Sequence, residues 1–236
     1  MSNHVLLNNV DHKDLKIITD RSAKLGDNVM YAFTFPFEFR NVQAHYPIFF
    51  QKDPDSEKYY PVAMLGLQQG ENLFLGEHGW DAAYIPVAIE RQPFLIGFES
   101  ADNEAHTVIH VDMDSPRVSE AEGEPVFLEH GGNTAYLNHV AGLLEALYQG
   151  DQENSRFVQA LVQHDLFESF TLDMELNDGS KNRLAGFYTI NEDKLAVLDG
   201  ATLSTLHKEG HLQAIYMVLA SLSHMRDLIM RKNARL

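Results

Sequence analysis

The sequence predicts an α+β protein, with hairpins in a β-rich N-terminal half and a mainly helical C-terminal half that carries one further hairpin and a long terminal helix. Three observations carry this. Phe170, Leu172, Met174 and Leu176 alternate with polar residues, and after the turn Asn177-Asp-Gly-Ser a partner run covers 183–190; period-two alternation about a glycine turn is the signature of a hairpin. The apolar runs of 47–51 and 60–65 flank Asp53-Pro-Asp-Ser-Glu, a cluster of turn formers. Leu212, Ile215, Leu219, Leu222, Met225 and Ile229 recur at helical spacing and mark one face of the terminal helix.

The other elements follow in chain order. Residues 1–30 are polar and weakly patterned, as expected of an arm laid across a domain. Tyr31, Phe33, Phe35, Phe37 and Phe39 alternate as a strand does; Pro36 ends the strand near Phe35, since proline donates no ladder hydrogen bond, and suits the first residue of a short helix over 37–45 with Phe39 and Val42 inward. The runs at 93–98 and 107–111, joined by 101–105, predict a second hairpin. Between the first two hairpins lies a long stretch, 66–86, in which Trp80 is expected in a loop; stretches of this length are functional or packed by their own side chains. Residues 115–132 are rich in Pro, Gly and Glu. Helical spacing returns in Leu137, Val140, Leu144 and Leu147, with a stop expected at Gly150, and again in Phe157, Leu161, His164 and Phe167. Asn191 is a candidate N-cap for a helix ending near Gly200, and residues 201–209 form another helix that Gly210 stops. All 236 residues are expected to form one compact domain, with 115–132 as the place where it would subdivide.

Composition narrows the function. Hydrophobic residues make up 44% and charged residues 22%, enough for a packed core. Against 18 Lys and Arg stand 34 Asp and Glu, a net charge of −16 that repels phosphate backbones and anionic headgroups, so neither nucleic acid nor a membrane surface is the expected partner. The cations near the C-terminus, Arg226, Arg231, Lys232 and Arg235, are expected to complement the negative end of the terminal helix. With no cysteine there is no disulfide, thiol nucleophile or thiolate metal site. The N-terminus has no basic region followed by a long apolar one, and no window nears the ~18 apolar residues of a spanning helix, so the expected location is cytoplasmic, without a membrane span.

Motifs with a chemical rationale are few. No Walker loop, dinucleotide-binding glycine pattern, nucleophile elbow or His-Glu-x-x-His occurs, and no catalytic residue is assignable. The weak metal candidates are His106, His110 and Asp112, which share one face if residues 106–112 form a strand; imidazole and carboxylate suit iron or zinc. Same-face neighbours on a strand lie ~7 Å apart, so another element would have to complete such a site. No cofactor is expected. His207 and His211 make a poorer pair because Gly210 separates them. The stretch 65–94 is the best candidate for recognition, because Asn72, Trp80, Tyr84 and Arg91 combine amphipathic aromatics, a planar cation and a turn amide.

That same stretch carries a resemblance. Leu65-Gly-Leu, Gly70, Asn72-Leu-Phe, Gly79-Trp80, Tyr84-Ile-Pro, Arg91 and Pro93-Phe resemble the hallmark of the bacterial SapC family, and Tyr46-Pro-Ile-Phe-Phe, Leu184-Ala-Gly-Phe, Asn191-Glu-Asp-Lys-Leu and Gly210-His-Leu-Gln-Ala-Ile-Tyr extend the likeness over about 31–231. This chain departs from the family at Glu90-Arg91-Gln92, where two adjacent arginines and an aromatic are common. The family takes its name from a surface layer, and its genes lie beside halogenase-like flavoproteins, cupin-type oxygenases and outer-membrane receptors. The resemblance therefore implies an accessory role, with halogenase-like or cupin-type enzymes among the partners.

Three functions remain open on sequence. The first is a non-catalytic cytoplasmic binding or accessory protein recognising a peptide, a small molecule or a partner enzyme. The second is an enzyme with a dispersed site, metal-dependent through His106, His110 and Asp112. The third is a surface-layer-associated structural protein.

Overall fold

The computed structural model describes residues 3–101 and 104–236, with the side chains of 100, 101 and 104–106 outside that description. The chain groups into two compact units, each assembled from discontinuous stretches. One comprises Met1–Asn28, Leu75–Trp80 and Val87–Gln149; the other comprises Val29–Phe74, Asp81–Pro86 and Gly150–Leu236.

In the first unit, Phe94–Ala101 and Glu104–Asp112 form the expected antiparallel hairpin. The N-terminal stretch is more than an arm. His4–Leu6 pairs with the second hairpin strand, and Lys16–Ile17 lies between Val118–Ser119 and Glu124–Pro125. Its sparse apolar residues explain why: Leu15 and Ile17 are buried with Phe94, Val111 and Val126 in one core. Leu137, Val140 and Leu144, spaced three and four apart, close this core from the helix that follows.

The second unit is built on a five-stranded antiparallel sheet in the order Phe167–Glu175, Lys181–Ile190, Ile48–Lys52, Tyr59–Met64, Tyr31–Phe33. Both hairpins expected in this part of the chain are present, and a register shift between Phe170 and Leu172 adds a bulge. Ile48, Phe49 and Phe50 are all buried, the continuous apolar pattern of a strand covered on both faces. Phe49 packs against Phe170 with ring centres 4.5 Å apart, and Phe50 meets Phe167 at 4.9 Å. Short helices follow the last strand. Asn191 caps Glu192–Ala196 by accepting from the Lys194 amide at 2.9 Å, and Asp199 caps Gly200–Lys208 through the Thr202 amide at 2.7 Å.

Phe167, read as the end of a helical run, begins a strand instead, and two further boundaries differ from expectation because of a partner distant in the chain. Gly150 does not stop a helix: Ala135–Gln163 is continuous over 29 residues, its residues 135–149 in the first unit and the rest in the second. The glycine is there for space, because a methyl group at Gly150 would come within 2.5 Å of the Phe37 ring. The terminal helical segment is interrupted between His211–Ser221 and His224–Asn233. At the break, the buried Ser221 hydroxyl donates back to the Val218 carbonyl at 2.6 Å and accepts from the Ile48 amide at 2.8 Å. A side-chain bond to the preceding turn competes with the backbone ladder and bends a helix there. Among the described residues no helix is long and apolar enough to cross a membrane.

Candidate functional site

Each residue singled out in the sequence has a definite place. In the second unit, Asn72 is buried, its side chain accepting from the Phe74 amide at 2.9 Å. Its carbonyl and that of Leu73 accept from Arg235 at 3.1 and 2.8 Å. Arg231 pairs with Asp81 at 2.6 Å and stands 4.4 Å over the Phe74 ring, and Lys232 pairs with Glu71 at 2.6 Å. These C-terminal cations therefore fasten residues 71–74 and Asp81 rather than only neutralising a helix end. Tyr84 donates to Glu38 at 2.8 Å, and its carbonyl accepts from the Tyr46 hydroxyl. The polar atoms of Asn72 and Tyr84 are thus engaged within the fold.

In the first unit, Trp80 is half-buried and belongs to a two-residue strand, Gly79–Trp80, paired with Leu75–Gly76; it is not a loop residue. Arg91 donates to the Phe94 carbonyl three residues on, and burial pushes its pKa below the usual guanidinium value. His110 and Asp112 lie on the strand Glu104–Asp112, while the His106 side chain falls outside the described residues. A methyl group at Gly97 on the neighbouring strand would come within 2.7 Å of the His110 ring, and Asp112 lies 4.0 Å from His4. Among the described residues no three His, Asp or Glu side chains converge as a metal site.

The first unit also contains a buried charge cluster. Arg117, 1% exposed, holds the fully buried Asp27 through two hydrogen bonds of 2.6 and 2.7 Å, with Arg21 at 3.4 Å. Arg117 also donates to the carbonyls of Ile18 and Asp20 at 3.0 and 2.8 Å. Burial lowers the Arg21 pKa, the Arg117 charge adds to this, and Asp27 opposes it. Burial likewise pushes the nearby Tyr136 hydroxyl up to about 12. Through its two terminal nitrogens Arg117 ties Asp27 to the backbone at Ile18 and Asp20, while its buried Nε has no partner.

An open groove of about 640 Å³ lies wholly within the second unit. One wall is residues 153–163 of the long helix; the others are Pro36-Phe37 and the junction Glu209-Gly210-His211. Phe35 and Phe37 stack with ring planes 6° apart, and Phe37 remains 40% exposed. Gly210, at φ 78°, turns the chain from the helix Gly200–Lys208 into His211–Ser221 and so sets the His211 ring 5.6 Å from the buried Phe157. Glu209 lies 3.4 Å from the imidazole. Burial lowers the His211 pKa below the usual histidine value; Glu209 opposes this and Arg156 adds to it, so the imidazole is mainly neutral at pH 7. Gln159 and Gln163 line the same space. Neutral imidazole and amide groups both donate and accept hydrogen bonds, which suits non-covalent recognition of mixed polar groups.

The imidazole makes a measurable expectation. Its NMR titration midpoint should lie below the ordinary histidine value, rise in Arg156→Gln and fall further in Glu209→Gln. The unfolded chain takes up the proton at higher pH than the folded chain. The contribution of His211 to stability is therefore complete above the ordinary value and is lost as pH falls through it towards the lowered one. A midpoint at or above the ordinary value would contradict the burial described.

A SapC family model matches residues 7–228 of the 236-residue chain. The chain belongs to the SapC family. Searches of the curated proteins and of the solved structures find no match. Of the stretches that resemble the family, Gly210-His-Leu-Gln-Ala-Ile-Tyr supplies Gly210, His211 and Ala214 to the groove. Sequence reasoning did not find the groove, because its walls come from around positions 36, 153–163 and 209–214. Phe37 stood in the alternating aromatic run 31–39, where nothing set it apart from its neighbours.

Proposed function

We propose that this SapC-family chain is a non-catalytic binding or accessory protein whose groove at Phe37 and His211 takes a short peptide segment. The observation behind this reading is the half-exposed Phe37, stacked on Phe35 and opening into a space lined by amides, a neutral imidazole and charges of both signs. An exposed, pre-stacked aromatic offers an apolar anchor at little conformational cost, and amides match the donor and acceptor pattern of a peptide backbone. The space is within the range of ligand pockets. Asn72, Trp80, Tyr84 and Arg91 serve in this reading as framework residues, since Asn72, Tyr84 and Arg91 are held by bonds inside the fold and Trp80 by strand pairing. In this reading the chain works in the cytoplasm, and its net charge of −16 disfavours nucleic acid and anionic membranes as partners. The resemblance points to halogenase-like or cupin-type enzymes as sources of the segment.

Selecting peptides from a random display library against the purified chain should enrich a motif with an apolar anchor residue. Phe37→Ala should weaken the best peptide about 30-fold, as a hot-spot truncation of ~2 kcal/mol does, and His211→Ala should weaken it as well. Failure to enrich any motif, or peptides whose affinity neither substitution changes, would refute the proposal.

A further inference from the structure

The groove at Phe37 and His211 carries a fixed pattern of charge. Its charged or titrating residues are Glu153 and Arg156 on the long helix, and Glu209 and His211 at the junction of the two shorter helices. Glu209 stands 3.4 Å from the His211 imidazole and so already has a partner. Glu153 and Arg156 are exposed and one turn apart, yet among the described residues neither forms an ion pair. Arg156 is close enough to His211 to add to the lowering of the imidazole pKa. Its charge therefore acts inside the groove while the fold leaves it unengaged, and a guanidinium so placed favours an anion in the bound segment. The helix also sets a spacing. Phe37 lies against Gly150, where an added methyl group would come within 2.5 Å of the ring. Arg156 follows further along the same helix, Ala135–Gln163. The rise from 150 to 156 is ~9 Å, which an extended segment covers in about three residues.

We propose that the segment bound in this groove carries one acidic residue, a Glu or Asp paired with Arg156, about three residues from the apolar anchor that meets Phe37. This rests on the peptide reading of the groove and adds a charge requirement to it. The net charge of −16 repels acidic segments as a whole. A single acid is therefore expected, flanked by neutral or basic residues. Glu153, a turn nearer Phe37, disfavours a second acid between the anchor and the first, and Glu209 disfavours one beside His211.

Peptide display on the unmodified chain and on Arg156→Glu tests this. Arg156 is exposed, so reversing its charge leaves the core intact. The unmodified chain should enrich Glu or Asp about two to four positions from the apolar anchor. Arg156→Glu should enrich Lys or Arg there, beside the same anchor. Replacing the acid by Gln in the best peptide should weaken binding about fivefold at low salt, the upper end for an exposed pair, and less at high salt. The His211 titration midpoint should rise with the acidic peptide bound and not with its Gln analogue, because the bound carboxylate offsets Arg156 and favours the imidazolium. An anchored motif without an acid, the same acid enriched on both chains, or a midpoint that the acidic peptide leaves unmoved would overturn the charge requirement and leave the peptide groove standing. Enrichment of no motif at all would refute both.

Discussion

Arg117→Ala is expected to destabilise the protein by about 3–5 kcal/mol, because it strands a buried carboxylate. Asp27 is fully buried and takes two short bonds from Arg117; the other cation near it, Arg21, is at 3.4 Å and shares its donors with the carbonyls of Ile89 and Glu90. The same truncation frees the carbonyls of Ile18 and Asp20. Taking both charges away is a different experiment. Arg117→Met with Asp27→Leu removes the desolvation of both ions and should recover most of the loss. Urea unfolding of the two variants reads this directly. A single-variant loss below ~1 kcal/mol would mean that water replaces the guanidinium, and that the pair is not the tie described.

The second large effect is expected at Phe157. Its side chain is 1% exposed, with ring centres 6.1 Å from Phe39, 6.3 Å from Phe50 and 5.6 Å from His211. Phe157→Ala should cost about 3–5 kcal/mol, the transfer of the ring plus the cavity it leaves. Phe157→Leu keeps most of the apolar volume and should cost markedly less. Phe37→Ala, at an exposed ring on the groove, should stay within about 0.5 kcal/mol of the unmodified chain by the same measurement. This contrast separates the two sides of the groove: Phe157 holds the fold together, and Phe37 faces whatever enters. A Phe37→Ala loss as large as that of Phe157→Ala would make Phe37 a core residue and remove the anchor from the proposal.

The hairpins were legible because alternation and turn chemistry act within about a dozen residues. Asn177-Asp-Gly-Ser between two alternating runs could hardly read otherwise. Gly150 misled because glycine has two uses, ending a helix or admitting a neighbour, and the neighbour, Phe37, lies far back in the chain. Ser221 misled similarly, since its partner is the distant Ile48 amide. The cations of the last turn read as complements to a helix end, yet Arg231 and Arg235 were needed by carbonyls and a carboxylate between 72 and 81. Arg117 and Asp27 stand 90 residues apart, and nothing local distinguishes them from surface charges. Of the residues of 72–91 read as recognition residues, Asn72, Tyr84 and Arg91 also bond to a backbone amide, a carboxylate and a carbonyl, and Trp80 pairs in a strand; the proposed groove draws on side chains that only folding brings together.

The peptide groove is tested most directly by mapping amide chemical shifts on the unmodified protein as the best selected peptide is added. The account predicts saturable changes grouped at Phe37, Gln159, Gly210 and His211, with the Trp80 indole and the Asn72 side-chain resonances unmoved. Changes centred instead on residues 72–91, with those around His211 silent, would contradict it and return recognition to the segment that carries the family resemblance.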